Sequence, residues 1–254
     1  MRPSEPEHPA VALLYDVHGN LPALEAVIEA LEEAGIEDVV VGGDVMPGPM
    51  PGACLDLLLA RPGKTRFLYG NGERDTLRFR HGEPVDRVPD SVHPVMRWVA
   101  DGLRTDQVEE IERWPASLLL EVPGVGRVLC CHATPRDDNE IFTRITPEER
   151  LRAIFAKVDA DMVVCGHTHM QFDRCLGELR VVNVGSVGMP FGVPGAYWGV
   201  LSSEGVELRR TDYDLDQALA RIRATDYPDR VGFRVLHPPD EEQMLAVFEA
   251  AAPR

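Results

Sequence analysis

Residues 11–20 read Val-Ala-Leu-Leu-Tyr-Asp-Val-His-Gly-Asn, and this stretch decides the fold. Its first five residues are an apolar run long enough for one buried strand, and Asp16 and His18 follow that run directly. Residues two apart in an extended segment point the same way, so a carboxylate and an imidazole are presented together. Asn20 is expected to cap a helix that has Pro22 in its first turn. The stretch predicts a strand that ends in a metal-binding pair and leads into a helix.

The following residues complete a β-α-β unit. Apolar side chains from Leu24 to Leu31 recur at i, i+3, i+4 and i+7, which is typical of one buried helix face, and Val39–Val41 is the next strand. The two strands are therefore expected to be parallel, with a right-handed crossover. Later apolar runs predict further strands at Arg66–Tyr69, Leu118–Val122, Val128–Cys131, Met162–Cys165, Leu179–Val184, Tyr197–Leu201 and Val206–Arg210.

Strands that follow a β-α-β start in closely spaced hairpins favour an α/β fold with two sheets packed face to face and helices outside. We expect a two-sheet β-sandwich flanked by helices, in α-β-β-α layers. A length of 254 residues fits one large domain. We predict a flexible, proline-rich tail over residues 1–9 and a single domain over 10–254. That domain is expected to carry a mostly helical insertion at about 76–116 and a C-terminal helical arm at about 212–254.

Bulk composition excludes some partners. The net charge of −16 makes a long nucleic acid an unfavourable partner, whereas a small phosphate ester bound through metal ions is not disfavoured. No apolar run reaches the roughly 18 residues of a membrane span, so no membrane partner is expected. Five cysteines without a CxxC spacing are interpreted as buried thiols of a cytoplasmic protein. A homo-oligomer is left open.

Three more predicted strands end in polar motifs. They are Gly42-Gly43-Asp44, Gly70-Asn71 and Gly166-His167-Thr168-His169, and a single histidine, His132, follows another strand. Taken alone, each motif is more typical of a turn or a helix cap than of a ligand. Together they converge at the ends of neighbouring strands and supply carboxylate, amide and imidazole ligands without a thiolate. That ligand set suits Mn, Fe, Zn or Mg at a hydrolytic centre and does not suit a structural zinc finger.

With these motifs in this order, residues 11 to about 223 resemble the calcineurin-like metallophosphoesterases. The closest resemblance is to a small bacterial and archaeal branch that contains phosphodiesterases and symmetrical-type diadenosine polyphosphate hydrolases. The resemblance implies the calcineurin-like fold and two divalent metal ions, with Mn favoured and Fe, Zn, Ni or Mg as alternatives. It implies that one ion is held by Asp16, His18, Asp44 and His169, and the other by Asp44, Asn71, His132 and His167.

One position departs from the family pattern. The family's Gly-Asn-His-Asp/Glu is Gly70-Asn71-Gly72-Glu73 here, so the histidine that contacts phosphate and donates a proton is missing. A leaving alkoxide needs that proton far more than a leaving phosphate or aryloxide does. We therefore expect substrates with good leaving groups. His81 is considered as a replacement proton donor, against the alternative of an exposed loop histidine.

Arginine is the residue type most suited to gripping a second phosphate, and Arg74, Arg78 and Arg80 closely follow this motif. Arg74 is the favoured candidate, and ion pairing on the helix surface is the alternative. The predicted catalytic residues are Asp44, Asn71, His18 and His81. The predicted substrate contacts are Asn71, Gly72 and Arg74.

The sequence favours a di-metal phosphoesterase that hydrolyses phosphodiester or phosphoanhydride bonds in nucleotide-type substrates. In this hypothesis a hydroxide that bridges the two metals attacks phosphorus. The small phosphate ester is the expected partner. Two alternatives remain: a metal-bound regulatory nucleotide-binding protein, and a catalytically silent scaffold on the same fold, as in the retromer subunit. The unbroken ligand set argues against the scaffold, which would be free to lose it.

Overall fold

The structure is a computed structural model that describes residues 10–61, 63–229 and 233–252. The flexible tail predicted at residues 1–9 lies outside the described residues. Among the residues that are described, no helix combines the length and the apolar character that crossing a membrane requires.

The first sheet has the strand order β10-β9-β1-β2-β3. Strands β1 (Val11–Leu14), β2 (Asp38–Val41) and β3 (Thr65–Phe67) are parallel, as the β-α-β pattern predicts. Strands β9 (Ala196–Ser202) and β10 (Gly205–Thr211) form an antiparallel hairpin that pairs with β1. The carboxyl ends of the three parallel strands therefore meet at one edge of the sheet.

The second sheet has the strand order β4-β5-β6-β8-β7. Its strands are β4 (Ser117–Val122), β5 (Gly126–Cys131), β6 (Met162–Cys165), β7 (Phe172–Leu176) and β8 (Leu179–Asn183). The three central strands are parallel, and the two edge strands are antiparallel to their neighbours. Strand β7 was not predicted, because its short sequence Phe-Asp-Arg-Cys-Leu buries only its two ends.

Helices cover the outer face of each sheet. The first sheet packs against apolar side chains of α1 (Leu21–Glu33), α2 (Pro51–Leu59), α4 (His93–Gly102), α5 (Thr105–Ile111) and α7 (Leu215–Arg223). The second sheet packs against α6 (Glu148–Phe155). Helix α3 (Asn71–His81) begins at a candidate ligand, five residues before the predicted helical insertion. Helix α8 (Glu241–Ala251) is the last helix of the described chain and lies within the predicted C-terminal arm.

A continuous apolar layer lies between the two sheets. Leu13, Tyr15 and Val40 of the first sheet pack there against Val128, Cys130 and Val164 of the second. This packing gives the α-β-β-α layers, so the predicted two-sheet fold is confirmed. Four of the five cysteines are buried thiols as expected. Cys175, on the edge strand β7, is exposed, which the sequence interpretation missed.

Candidate metal centre

The structure brings the polar motifs at the strand ends together. Two overlapping groups of side chains have ligand atoms within 4.8 Å of one another, and Asp16 belongs to both. The first group adds His18 and His169, and the second adds Asp44 and His132. Asp16 follows β1 and Asp44 follows β2, so the parallel pairing of these strands is what sets the two carboxylates side by side.

In the first group, the Nε2 atoms of His18 and His169 are 3.1 Å apart. The Nε2 atom of His169 is also 3.3 Å from Oδ1 of Asp16. Ligands at the usual 2.0–2.2 Å from a cation lie roughly 2.8 to 3.6 Å from each other, from octahedral to tetrahedral geometry. These separations therefore match donors arranged around one ion.

In the second group, Nε2 of His132 is 3.5 Å from Oδ1 of Asp44. The same nitrogen is 3.1 Å from Oδ1 of Asn71, the first residue of α3. The other carboxylate oxygen of Asp44, Oδ2, is 3.7 Å from Nε2 of His18. Asp44 thus presents one oxygen to each group, which is the arrangement of a carboxylate that bridges two cations.

Backbone carbonyls orient three of the imidazoles. The Nδ1 atoms lie against carbonyl oxygens in each case: His18 at 3.1 Å from Pro47, His132 at 3.0 Å from Gly42, and His169 at 2.7 Å from Met189. A carbonyl can only accept, so each Nδ1 carries the proton and each Nε2 turns its lone pair to the centre. Burial also lowers the pKa of His18 and His167 to about 3, and neutral imidazole is the metal-binding form.

Two buried atoms of the centre lack a hydrogen-bond partner among the described residues: Oδ1 of Asp16 and Nε2 of His167. Leaving such a group unsatisfied costs about 1–3 kcal/mol. Burial raises the pKa of Asp44 well above its ordinary value, and the nearby carboxylates of Glu73 and Asp16 raise that pKa further. Divalent cations would satisfy both orphan atoms and neutralise the crowded carboxylates, so the residues fit a metal centre.

The backbone at the centre is strained. Among the described residues, every non-glycine residue with positive φ is a candidate ligand: Asp16, His18, Asp44, His167 and His169. Their φ angles lie between 47° and 67°, in the left-handed region that side chains disfavour. Strain of this kind concentrates at functional sites, where the surrounding structure enforces it.

Two buried residues outside the predicted ligand set hold the ligand loops in place. Glu73 accepts hydrogen bonds from the backbone N–H groups of Asp44, Met46 and Gly70 at 2.8, 3.2 and 2.8 Å. Ser186 donates to the carbonyl oxygen of Asp16 at 2.7 Å. The position of Glu73 three residues after Gly70 is the spacing of a helix capping box, and that signal could have revealed it.

Gly72 contributes its backbone to the centre. Its N–H group donates to Oδ1 of Asp44 at 2.7 Å. A Cβ atom at this position would lie 2.1 Å from the carbonyl oxygen of Met46 and 2.8 Å from Oδ1 of Asp44. The missing family histidine thus has a steric explanation, because the backbone at Met46 fills the space that a side chain at position 72 would need.

His81 and Arg74, two residues that the sequence predicted for the site, have carboxylate partners outside the two ligand groups. The His81 side chain is 44% exposed, and its Nε2 lies 2.9 Å from Oε1 of Glu112, away from both ligand groups. Arg74 lies between Asp75, at 3.0 Å, and Asp138, with which it forms an ion pair. The structure therefore shows Arg74 in the ion-paired state that was its alternative, and it gives His81 a surface partner instead of a ligand.

Residues 10–204 match the calcineurin-like phosphoesterase superfamily domain, which covers most of the chain. The chain belongs to this superfamily, and the resemblance drawn from its motifs is confirmed. It is a metal-dependent phosphoesterase, a hydrolase of small phosphate esters.

Individual proteins are similar to this chain over most of its length. An uncharacterized protein of Methanocaldococcus jannaschii is 24% identical over 244 residues, which is 89% of this chain and 96% of that protein. The phosphodiesterase YfcE of Escherichia coli is 24% identical over 191 residues, or 74% of this chain and 85% of YfcE. The crystal structure of a metallophosphoesterase from Sphaerobacter thermophilus shares the fold with a TM-score of 0.69 at 22% identity, covering 89% of this chain and 98% of that one.

Proposed function

We propose that the protein hydrolyses phosphodiester or phosphoanhydride bonds in nucleotide-type substrates, with two divalent metal ions and Mn²⁺ as the favoured metal. The observation that carries the proposal is the pair of neighbouring ligand groups to which Asp44 turns one oxygen each. YfcE, a relative of this chain, is named a phosphodiesterase, and that name supports the proposal that a phosphodiester bond is hydrolysed.

In this proposal the first ion is held by Asp16, His18, Asp44 and His169, and the second by Asp44, Asn71, His132 and His167. The separations within each group and the unpartnered Nε2 of His167 support the assignment. Bound ions would supply Lewis-acid activation of water and would neutralise charge on the phosphoryl oxygens. Asn71 gives its carbonyl oxygen to the ion, which leaves its N–H₂ group to donate to a phosphoryl oxygen.

The leaving group decides which bonds are cleaved. Gly72 supplies no proton, and His81 is held at the surface by Glu112. A leaving phosphate or aryloxide departs without a proton, whereas an alkoxide does not. The proposed substrates are therefore pyrophosphate-linked nucleotides and activated diesters, and alkyl monoesters are poor substrates.

A turnover assay tests this proposal. Protein stripped of metal and reloaded with Mn²⁺ is given bis-p-nitrophenyl phosphate, the alkyl monoester β-glycerophosphate and diadenosine tetraphosphate. We expect metal-dependent cleavage of the diester and the dinucleotide and slower cleavage of the monoester. Because Lewis-acid stabilisation is worth several kcal/mol, Asp44→Asn is expected to lower turnover about 10³-fold or more.

The matched control is Asp216→Asn, the same substitution at an exposed position of α7, which should leave turnover unchanged. Fast monoester cleavage would mean that another acid replaces the missing histidine, and the proposed preference would be wrong. Two bound metal ions with no turnover of any phosphoester would instead favour a regulatory nucleotide-binding protein.

A further inference from the structure

Arg78 differs from the other arginines near the metal centre. It lies on α3 seven residues after Asn71, with Arg74 between them, so the three residues share one face of the helix at i, i+3 and i+7. At 1.5 Å per residue, Arg78 starts roughly 10 Å along the helix from Asn71. Helical side chains lean toward the N-terminus, so a side chain at position 78 is directed toward the Asn71 end of α3.

A cleft of about 400 Å³ joins this helix face to the metal centre, since Arg78 and His132 both line it. Three further arginines line the same cleft: Arg74, Arg87 and Arg136. Beyond it lies a hollow of about 340 Å³ that shares Tyr69, Arg74 and Arg78 with the cleft. Its apolar lining is Leu77, Ile111 and Trp114, and its polar lining is His81, Glu83 and Glu112. Arg78 therefore lies on the path from the metal centre to a recess that has an apolar wall and is large enough for a ring.

The other arginines of the cleft already have carboxylate partners. Arg74 pairs with Asp75 and Asp138, and Arg87 with Asp137 at 2.8 Å. Arg136 pairs with Glu140 at 2.5 Å. To bind an anionic ligand, each of these arginines must break or share its ion pair with a carboxylate. The free energy lost from that ion pair offsets the free energy gained from the ligand.

Within the part of the chain that the structure describes, the Arg78 guanidinium has neither a hydrogen bond nor an ion pair with another residue. It is nevertheless half-buried, in a chain whose net charge is −16. Arg80, two residues on, is exposed and donates to the carbonyl oxygen of Ala100 at 3.1 Å. A half-buried arginine in an acidic protein gains most from an anionic ligand, because guanidinium binds phosphate through paired hydrogen bonds.

We propose that Arg78 binds a second phosphate on the leaving side of the substrate and so selects phosphoanhydrides over diesters with uncharged leaving groups. This inference rests on the proposed function of the metal centre. The sequence favoured Arg74 as the residue that binds the second phosphate. The structure favours Arg78 instead, because Arg78 has no ion pair with a carboxylate that the phosphate would have to displace. The substrate class is a nucleoside polyphosphate, with one phosphate at the metals, the next at Arg78 and the nucleoside toward Trp114.

Binding tests the inference without turnover. Calorimetry on the Mn²⁺-loaded protein compares AMP with α,β-methylene-ADP, a non-hydrolysable ligand that has one more phosphate. We expect the diphosphonate analogue to bind more tightly and Arg78→Ala to weaken its binding roughly 10- to 100-fold, the range for a charge-assisted contact, with little effect on AMP. Arg78→Lys should recover part of the loss, because it restores the charge without the planar fork. Arg80→Ala is the matched control on the same helix.

Kinetics give a second readout. The ratio of kcat/KM for diadenosine tetraphosphate to kcat/KM for bis-p-nitrophenyl phosphate should fall roughly 10- to 100-fold in Arg78→Ala and remain at the wild-type value in Arg80→Ala. Equal losses on both substrates, or equal losses for AMP and the analogue, would overturn the inference and leave Arg78 a structural role. If the wild-type protein turns over nothing, the proposed function fails, and the binding comparison alone decides the role of Arg78.

Discussion

The two groups of ligands use the same chemistry but are supported by different parts of the chain. We call the group of Asp44, Asn71 and His132 the His132 side, and the group of Asp16, His18 and His169 the His169 side. His132 has a side chain that is 0% exposed, and the carbonyl of Gly42 at the end of β2 orients it. The partners described for the His132 side, Gly42, Gly72 and Glu73, lie within the superfamily domain.

The His169 side depends on residues beyond that domain. The ring of Phe191 stacks on His169 with centroids 5.5 Å apart, and it also contacts Phe248 of α8 at 5.9 Å. The loop that carries Phe191 is tied to the same arm, since Gly192 N–H donates to the carbonyl oxygen of Pro239 at 2.9 Å. The superfamily match ends at residue 204, so α8 lies beyond the matched domain and reaches His169 through Phe191.

Anchors at both ends of α8 fix the arm to the body. Near its start, Glu241 pairs with Arg144 at 2.5 Å, and near its end, Glu249 accepts a hydrogen bond from Thr143 at 2.5 Å. The comparison teaches that two strand ends and the first residue of α3 suffice to build a buried ligand group. A more open group, with the His169 side chain 11% exposed, uses an added helix to hold its imidazole.

The largest effect is expected from a substitution that disturbs the His132 side, Gly72→Ala. In Gly72→Ala the new Cβ would lie 2.1 Å from the carbonyl oxygen of Met46, so the loop or α3 must move. Overpacking of this kind costs about 1–3 kcal/mol, and the movement also disturbs the N–H group that holds Asp44. We expect Tm to fall by roughly 2–12 °C and Mn²⁺ affinity to fall about tenfold or more, measured by thermal unfolding and calorimetry.

The control for this substitution is Gly102→Ala, at the last residue of α4. Nothing lies within 4 Å of a Cβ there, so neither Tm nor metal affinity should fall. A Gly72→Ala protein with wild-type stability and metal affinity would contradict the steric explanation for the missing histidine.

A smaller loss of metal affinity is expected when the contact between the C-terminal arm and the His169 side is removed. Phe248→Ala removes the contact with Phe191 and touches no ligand. Partners that orient a metal-binding histidine typically contribute 10- to 100-fold in affinity, and Phe248 acts one residue further away. We expect stepwise Mn²⁺ titration to show one site weakened about tenfold and the other changed less than about twofold.

Val247→Ala is the matched control, because Val247 is on the same helix and 54% exposed. Equal weakening of both sites in Phe248→Ala would show that the arm stabilises the whole fold and not one side. No change at either site would show that the stacked Phe191 holds its position without α8.

This asymmetry also explains what the sequence could predict. The end of a strand can be recognised from the local sequence, because an apolar run stops there at a polar residue. Asp16, Asp44 and His132 were predicted as ligands from this pattern. The left-handed backbone at the ligands leaves no local pattern, because strain is imposed by surroundings. The partners of Arg74 and Phe248 were missed for a similar reason: Asp138 is 64 residues from Arg74, and Phe191 is on a loop with no regular pattern.

The smallest expected effect concerns His81, which the sequence offered as a substitute proton donor. In the structure its Nε2 lies 2.9 Å from Oε1 of Glu112, and its side chain is 44% exposed. If the metal centre acts without a side-chain acid, His81→Gln should change kcat for bis-p-nitrophenyl phosphate and diadenosine tetraphosphate by less than about twofold, with the pH–rate profile unshifted. Loss of a real general acid costs about 10²–10⁴-fold. A loss of that size, greater for poorer leaving groups and absent in the surface control His237→Gln, would restore His81 to the mechanism and require α3 to move its C-terminal end toward the ligands.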